Sequence, residues 1–444
     1  MKPGRLLAAS LLLAISAGLF WWLNRREASA TKPPVTTTTT KIVDVPQDQI
    51  HSLTIEKAGS EPIELKRTAG KWSITAPKAL SADQGAVSSM LSTFASLNAD
   101  KLLEGKAASL DQFGLTKPSL SITATKQDGK NLKLMLGDET PTSSGSYAEL
   151  AGDPRVFIIA SYHKSSLDKS ENDLRDKRLL TFDSEKLSRV ELAAKKATIE
   201  FGRNKDQWQI LKPKPLRADQ SAVEDLVRSL GDAKMELSAT DDEKKDVSAF
   251  NSGTAVATAK VTDVGGTQEL QIRKNKDDYY AKSSGVAGVY KVLSSVGTSM
   301  DKSLDDLRNK KLFDFGFVDP EKIEIHDGAK STFLTRSNSD WWSNGVKMDE
   351  GNVSTLLADI RALAATKFPD SGFTNSSTEV TVTSNDGKRV EKVLIAKSGD
   401  NYIAKRENEP ALYVLTATAI KDLQDAAAGL KPAPPPPAPA PKKK

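Results

Sequence analysis

The stretch DKSENDLRDKRL at residues 168–179 returns without a gap as DKSLDDLRNKKL at residues 301–312. The same offset maps Tyr147 onto Tyr280. Similarity at a fixed spacing is typical of a chain built from repeated structural modules. We therefore expect the body of the protein to consist of copies of one module.

An apolar helical pattern raises the number of copies to three. Apolar side chains recur at positions i, i+3, i+4 and i+7 within residues 87–94, 223–230 and 353–360. This spacing places them on one face of a helix that packs on a core. One tryptophan precedes each pattern, and we align these residues as Trp72, Trp208 and Trp342.

An acidic residue precedes each apolar pattern by one helical turn. These residues are Asp83, Asp219 and Asp349. A carboxylate in this place accepts hydrogen bonds from free backbone N–H groups and suits the positive end of the helix dipole. We therefore interpret the three acids as helix caps and not as catalytic groups.

The segments around each helix alternate apolar and polar residues, as at Leu53, Ile55 and Ile63. Such alternation is typical of half-buried strands, and turn sequences such as QDGK at 127–130 indicate antiparallel hairpins. A second helix is expected to close the module, and the basic run 175–178 would complement the dipole in its last turn. The predicted fold class is α+β, with three tandem repeats of a module made of an antiparallel sheet and helices, after one N-terminal transmembrane helix.

The repeats, the termini and the composition together predict the organisation of the chain. The predicted segments are a cytoplasmic N-terminus (1–5), a transmembrane signal anchor (6–24), a Thr/Pro-rich spacer (25–41), three α+β repeats (42–180, 181–313 and 314–430) and a Pro-rich basic disordered tail (431–444). The third repeat is shorter between its tryptophan and its helix, and we interpret it as a terminal capping copy.

The N-terminal segment predicts attachment to a membrane. An uncharged, mostly apolar run from residue 6 to residue 23 is long enough, at about 1.5 Å per residue, to cross the hydrocarbon core of a bilayer. Lys2 and Arg5 favour a cytoplasmic N-terminus, so we expect the body on the periplasmic side of the cytoplasmic (inner) membrane. The alternative is a cleaved signal peptide, since residues 28–30 read Ala-Ser-Ala and resemble a cleavage site. Both interpretations export the body.

Composition and missing motifs exclude several functional classes. The 63 basic and 58 acidic residues give a net charge of only +5, so the chain lacks the dense positive field that binds nucleic acid. It contains no cysteine, which excludes disulfides, thiolate nucleophiles and cysteine-bound zinc. The sequence also has no H-E-x-x-H, no G-x-S-x-G and no Gly-rich phosphate loop. We expect no enzyme activity and no cofactor.

Three stretches carry a resemblance to a known family. They read KWSITAPKALSADQGAVSSMLSTFASL at 71–97, FGLTKPSLSITA at 113–124 and LRDKRLL at 174–180. They are similar to the bacterial envelope proteins that share the domain of unknown function DUF4340, and the resemblance covers nearly all of the chain beyond the spacer. It implies an N-terminal membrane segment, an exported α+β body and an accessory role beside a gliding-motility-type ABC transport system. It implies no catalytic residue and no ligand.

A non-catalytic binding or scaffold role is the leading functional hypothesis. Repeated modules build extended surfaces, so we expect ABC transporter subunits or an envelope polymer as the partner. Trp341 and Tyr279 stand beside aromatic residues that we assign to the core, and we expect these two side chains to be exposed contacts. The alternatives are a cell-envelope polysaccharide-binding protein or a hydrolase that uses a pair of carboxylates.

Overall fold

A computed structural model describes residues 40–106, 109–205, 207–238 and 243–435. These residues fall into two compact units, divided between Asp176 and Lys177. The predicted anchor at 6–24 lies outside the described residues, as do nearly all of the spacer and the end of the Pro-rich tail. Within the described ranges, no helix is long and apolar enough to span a bilayer.

The first unit contains the first repeat. Its strands are β1 (Thr40–Lys41), β2 (Ile50–Lys57), β3 (Ile63–Thr68), β4 (Lys71–Ala76), β5 (Leu80–Ser81), β6 (Asn98–Ala99), β7 (Lys101–Glu104), β8 (Leu120–Lys126), β9 (Asn131–Glu139), β10 (Gly145–Leu150) and β11 (Val156–Ala160). Its helices are α1 (Gln84–Ala95), α2 (Ser161–Leu167) and α3 (Glu171–Leu174). Nine of these described strands form one antiparallel sheet in the order β5-β4-β3-β2-β8-β9-β10-β11-β7, and β1 pairs with β6.

The second unit contains the second and third repeats. The second repeat has strands β12 (Arg189–Ala194), β13 (Ala197–Asn204), β14 (Gln207–Lys212), β15 (Leu216–Arg217), β16 (Thr254–Asp263), β17 (Gly266–Asn275), β18 (Asp278–Ser283) and β19 (Val289–Val292), with helices α4 (Gln220–Gly231), α5 (Glu243–Ser252), α6 (Ser294–Met300) and α7 (Leu304–Leu307). The third repeat has strands β20 (Lys322–Asp327), β21 (Lys330–Ser337), β22 (Asp340–Ser343), β23 (Val346–Lys347), β24 (Thr378–Ser384), β25 (Arg389–Ser398), β26 (Asn401–Arg406) and β27 (Leu412–Leu415), with helices α8 (Glu350–Ala362) and α9 (Ala417–Ala428).

The three large sheets share one strand order. In the second unit the orders are β15-β14-β13-β12-β16-β17-β18-β19 and β23-β22-β21-β20-β24-β25-β26-β27, which match the first unit from β5 to β11. In each copy the chain enters the middle of the sheet, meanders to one edge, returns through the long helix and meanders towards the other edge. The described fold is therefore α+β and antiparallel, as the alternating sequence pattern predicts.

The long helices α1, α4 and α8 occupy the places that the apolar pattern predicts. Their patterned side chains are all buried, namely Val87, Met90, Leu91, Phe94, Val223, Leu226, Val227, Leu230, Val353, Leu356, Leu357 and Ile360. Each helix begins after its predicted aspartate, and the carboxylates of Asp83, Asp219 and Asp349 accept hydrogen bonds from backbone N–H groups three residues on, at 3.0, 3.1 and 3.0 Å. The interpretation of these acids as helix caps is confirmed.

The first residue of two long helices also clamps the strand that carries the buried tryptophan. Gln84 accepts from the backbone N–H of Trp72 (2.8 Å) and donates to the carbonyl oxygen of the same residue (2.9 Å). Gln220 makes the same pair of bonds with Trp208, at 2.7 and 2.8 Å. Because both polar ends of each amide are satisfied, the clamp fixes the helix start to the sheet edge.

The basic runs do not end a helix. Helix α3 ends at Leu174 and α7 ends at Leu307, and the next residues, Arg175 and Arg308, are extended. Arg175 forms an antiparallel bridge with Ala82, and Arg308 forms one with Ala218. The expectation that these cations complement a helix dipole is therefore wrong, because the run forms the linker strand that leaves the module.

The third repeat ends differently from the first two. One helix, α9, stands where the second repeat has the short helices α6 and α7. The first residues of the predicted tail are hydrogen-bonded to this repeat: the N–H of Asp349 donates to the carbonyl oxygen of Lys431, and the N–H of Ala433 donates to that of Lys347, both at 2.9 Å. Residues 431–433 thus pair beside β23 as a linker strand does beside β15.

Candidate functional site

Trp341, a predicted contact residue, lies in the core. Its side chain is 4% exposed and belongs to the hydrophobic cluster of the third repeat, whereas Trp342 is 37% exposed. The equivalent of the buried Trp72 and Trp208 is therefore Trp341 and not Trp342. The expectation that Trp341 is exposed is wrong. Neighbouring side chains on a strand point to opposite faces, so an alignment shifted by one residue exchanges the inner and outer tryptophan.

Tyr279, the other predicted contact residue, is half-buried. Its ring packs against the hydrophobic cluster of the second repeat and covers Gly297 of α6 so closely that a Cβ atom there would lie 2.0 Å from the ring. Lys274 lies on the neighbouring strand β17, and its ammonium is 5.4 Å from the centroid of the Tyr279 ring. The expectation of a freely exposed Tyr279 is therefore wrong, because the ring fixes α6 to the sheet.

Exposed aromatic side chains lie instead on the outer face of the third sheet. Phe333 is 42% exposed, and Trp342 pairs with Thr335, which points to the same face as Phe333. The imidazole of His326 meets the Phe333 ring edge to face with 5.4 Å between centroids. We call His326, Phe333 and Trp342 the aromatic patch. Flat exposed rings of this kind are enriched in surfaces that contact a partner.

A dense polar cluster joins the second repeat to the third. Arg217, in the edge strand β15 of the second repeat, forms ion pairs with Glu409 (3.0 Å) and Asp314 (3.4 Å) of the third. Its guanidinium also donates to the hydroxyl of Tyr413 (3.3 Å) and to the carbonyl oxygen of Lys311. One side chain thereby contacts strand β27, the turn before it and the linker between the two repeats.

Aromatic rings separate two arginines in the same cluster. The guanidinium of Arg308, which is 7% exposed, lies 3.6 Å from the centroid of the Phe368 ring. Phe368 meets Tyr413 edge to face at 5.5 Å, and Arg217 lies 5.9 Å from the centroid of Tyr413. A desolvated cation over a ring gains on the order of 2 kcal/mol. We call Arg217, Arg308, Phe368 and Tyr413 the joint.

A buried carboxylate supports the joint from within the third repeat. Glu391 is 4% exposed and accepts hydrogen bonds from Arg389 and Arg406, both at 3.1 Å. It also accepts from the backbone N–H of Asp314 at 3.1 Å. Arg406 in turn pairs with Glu409 at 2.7 Å, so the carboxylate that receives Arg217 is itself held in place.

The charges of the joint stabilise one another. Burial acts to lower the pKa of Arg217, but Tyr413, Glu409 and Asp314 hold that pKa above its ordinary value. Burial raises the pKa of Tyr413, so its hydroxyl keeps the proton that it donates to Glu409 at 2.7 Å. Fully paired groups of this type fix geometry. The joint therefore fits a mechanical role between modules.

A small acidic groove lies between α8 and α9 in the third repeat. It encloses about 420 Å³ and is lined by Asp359, Asp422 and Asp425 together with Asn352 and Thr355. Burial raises the pKa of Asp359, and the charge of Asp422 raises it further. Asp425 is paired with Lys421. In the ranges that the structure describes, no group of three or more acidic or histidine side chains could hold a metal ion.

Sequence reasoning missed the joint. Arg217 and Glu409 stand 192 residues apart, and Arg217 lies where the first and third repeats have Ser81 and Lys347. A contact that forms between two particular copies gives no periodic signal. Arg217 and Arg308 stand in the second repeat and the rings of Phe368 and Tyr413 in the third, so no local spacing in the sequence indicates that they meet.

One family model matches the chain. The domain of unknown function DUF4340 matches residues 72–215 and again residues 208–385. The two matches begin at Trp72 and Trp208, which are equivalent residues of consecutive repeats, so the matching itself repeats with the module. No match was found among curated proteins or among solved structures.

Proposed function

From the premise that this chain belongs to the family of the domain of unknown function DUF4340, we propose that it is a non-catalytic scaffold of the cell envelope. Its N-terminal segment at 6–24 anchors it in the cytoplasmic membrane, and the spacer at 25–41 carries three repeated modules on the outer side. The modules present a contact surface to a protein partner. The family resemblance makes a gliding-motility-type ABC transport system the first partner to test.

The observation that carries this proposal is the joint. A chain that only had to place separate modules outside the membrane would need no buried contact between them. Here Arg217 and Arg308 lose water to stack on Tyr413 and Phe368. Glu409 and Asp314 neutralise Arg217, and Asp305 pairs with Arg308. Removing water from charged groups costs free energy, and buried ion pairs of this kind are retained where they fix the geometry between two modules. Two sheets held at a fixed angle form one extended binding surface.

The aromatic patch is the part of that surface to probe. A photo-crosslinking amino acid at Trp342 or Phe333, introduced in intact cells, should trap subunits of the transport system, identified by mass spectrometry. The matched control is the same probe at Val264, which is 83% exposed in a hairpin turn of the second repeat. Capture from the patch but not from Val264 supports the scaffold role, and no capture of any envelope protein from either patch position contradicts it.

A second candidate function is a carboxylate hydrolase acting on an envelope polysaccharide. The acidic groove favours it, because burial and the neighbouring Asp422 raise the pKa of Asp359, as is typical of a general acid beside a second carboxylate. Purified protein would be incubated with cell-wall polymer while newly formed reducing ends are measured. Release that is lost in Asp359→Asn and in Asp422→Asn, but kept in Asp425→Asn, would establish the hydrolase. Equal release of reducing ends from all three variants would exclude the hydrolase function.

A further inference from the structure

In the first repeat a lysine ties one corner of the sheet to a closing helix. This corner lies where the end of β2 pairs with the start of β8, and the last pair of that ladder is Lys57 and Leu120. The ammonium of Lys57 reaches Asp168, the residue that follows α2, at 2.5 Å. A lysine stem and its charge thus bridge the sheet and the end of the helix.

The second repeat keeps the aspartate and has no lysine at the end of the strand. The last pair in the same corner is Ala194 and Ala257, and Asp301, which follows α6, is the equivalent of Asp168 in the repeated sequence. The ammonium of Lys195 lies 3.9 Å from Asp301, and both side chains are nearly half exposed. An exposed pair of this kind contributes little, and a carboxylate has room for further hydrogen bonds. Asp301 can therefore receive a second cation.

The third repeat closes the corner with other polar side chains. The last pair of the ladder is Asp327 and Thr378, and the hydroxyl of Thr378 donates to Asp327 at 2.7 Å. Gln424 of α9 donates to the other oxygen of this carboxylate at 3.0 Å. In both the first and the third repeat, a polar side chain at the place of Ala194 therefore ties the sheet to the closing helix.

A cavity of about 670 Å³ lies at this corner of the second repeat. Its lining combines small apolar side chains, such as Ala194 and Ala257, with the carboxylate of Asp301. Lys195 and Lys196 also line it, and both are exposed in the turn between β12 and β13. The cavity thus offers apolar contacts for an aliphatic chain, a carboxylate for a cation and two cations for an anion.

The turn that carries the two lysines has a strained backbone. Lys195 and Lys196 have φ angles of 48° and 63°, in the left-handed region that favours glycine. The first and third repeats have Gly59 and Gly328 at positive φ in the corresponding hairpin turn. Strained residues cluster where their side chains contact a ligand. Two lysines at these positions therefore support a binding role for the cavity.

We propose that this cavity binds a lysine side chain that stands next to an acidic group in a partner protein. The lysine stem lies against Ala194 and Ala257, and its ammonium pairs with Asp301, as Lys57 pairs with Asp168 in the first repeat. The neighbouring acidic group pairs with Lys195 and Lys196. These two cations disfavour a second ammonium, so a free diamine fits less well than the lysine of a protein.

In naming a protein as the source of the lysine, this inference rests on the proposed scaffold function. The site itself lies in the second repeat, away from the aromatic patch of the third. Binding of a lysine side chain can be measured without any envelope partner. A failure of this measurement therefore leaves the scaffold function standing, and a failure of the crosslinking at the aromatic patch leaves this site standing.

Three small probes, titrated onto the full-length protein in detergent, test the chemistry of the site by saturation-transfer NMR. N-acetyl-lysine carries the ammonium and one carboxylate, and we expect it to bind saturably. N-acetyl-norleucine has a similar stem without the ammonium, and cadaverine has a second ammonium in place of the acid. Both should bind at least about tenfold more weakly, because each lacks one charge-assisted contact. Cadaverine that binds as tightly as N-acetyl-lysine would contradict a protein lysine as the ligand.

Substitutions in the cavity test its place. Ala194→Lys puts the equivalent of Lys57 into the corner, and Asp301→Asn removes the carboxylate, so each should weaken binding of N-acetyl-lysine by at least about tenfold. Asp225→Asn, on the exposed face of α4, is the matched control and should bind like the natural chain. Thermal unfolding checks that each variant is folded, and either cavity variant suffices if the other does not fold. Equal binding by the natural chain and a folded cavity variant, or no saturable binding to the natural chain, would overturn the proposal.

Discussion

The buried carboxyl group of Glu149 destabilises the folded protein when it is ionised. It is 8% exposed on β10, and its Oε2 atom has no hydrogen-bond partner. Burial raises the pKa of this carboxyl, and the charge of Asp153 adds to the effect. The folded protein therefore binds a proton at Glu149 more tightly than the unfolded chain does. Stability from this group is present below its ordinary pKa and is lost as the pH rises through the folded value.

Glu149→Gln should raise the free energy of unfolding at neutral pH by about 1 kcal/mol, because the amide needs no ionised form to be buried. The gain should shrink as the pH falls below the ordinary carboxyl range, where Glu149 is neutral in both states. Urea unfolding at neutral and acidic pH measures this gain in the free energy of unfolding, and Glu61→Gln, at an exposed position, is the control. A variant that is less stable than the natural protein at neutral pH would contradict this account.

Single residues also mark the limit of sequence reasoning. The apolar pattern of the long helices is repeated three times, so the sequence predicts which side chains of these three helices are buried. The tryptophan of the third repeat has an aromatic neighbour and a shorter connection to its helix, so Trp341 and Trp342 fit equally well until the strand's faces are known. The other copies have Ser81 and Lys347 where the second has Arg217, and the partners of Arg217 follow only from the fold.

The start of the long helix is an element that differs between copies for a physical reason. Gln84 and Gln220 use both ends of the amide to clamp the tryptophan strand. The third repeat has Glu350 at this place, and the N–H of Met348 donates directly to the carbonyl oxygen of Trp341 at 2.8 Å. The connection between the tryptophan and the long helix is shorter in the third repeat. A backbone N–H therefore reaches the tryptophan carbonyl directly, and no glutamine amide is required there.

Gln220→Glu should therefore destabilise the protein by about 1–3 kcal/mol at neutral pH, because an ionised carboxylate cannot donate to the carbonyl oxygen of Trp208. The loss should become smaller at acidic pH, where the protonated acid can donate. Glu350→Gln is the matched control and should leave stability unchanged. Differential scanning calorimetry compares the variants, and equal losses for Gln220→Glu and Glu350→Gln would refute the clamp.

The linker strands explain why the predicted basic last turn of the closing helix does not form. Basic residues favour a helix and suit its last turn, so residues 175–178 and 308–311 resemble a helix end. The capping boxes at Ser170 and Ser303 instead begin helices of one turn, and the chain beyond them is needed to pair with Ala82 and Ala218. Pairing between distant segments overrides local preference here.

The joint between the second and third repeats predicts a coupled pair of modules. Arg217→Met keeps the aliphatic stem but removes the charge from Glu409 and Asp314. We expect a loss of about 1–3 kcal/mol, since both carboxylates retain other partners. Amide hydrogen exchange at Leu312 and Ala365, which bond across the linker, should rise. Arg228→Met is the control, because Arg228 pairs with Asp225 at the exposed surface. A similar effect of both variants would argue against the joint.

At the scale of the whole molecule, repetition was the strongest sequence signal and the fold follows it. The strand order of the first sheet returns twice, and the family match begins anew at the second tryptophan. The contact surface could not be predicted in the same way. Repeated positions show what the copies share, which is the core. The aromatic patch belongs to the third copy alone, and the joint forms between the second and third copies, so neither repeats along the sequence.

The placement of the whole molecule across the membrane can be tested through its composition. The chain has no cysteine, so one introduced cysteine is its only site for a membrane-impermeant maleimide. Ser60→Cys, in an exposed turn of the first repeat, should be labelled in intact spheroplasts. Under the proposed orientation, in which the basic flank favours a cytoplasmic N-terminus, Pro3→Cys should be labelled only after permeabilisation.

The mass of the same two proteins decides between anchor and cleaved signal peptide. If the segment at 6–24 is retained, Pro3→Cys and Ser60→Cys give labelled proteins of the same full length, both in the membrane fraction. If cleavage follows Ala30, the Pro3→Cys protein loses its label and the Ser60→Cys protein becomes shorter and soluble. Labelling of Ser60→Cys only after permeabilisation would mean that the body stays inside the cell, and both the scaffold role in the envelope and the polysaccharide hydrolase would then be excluded.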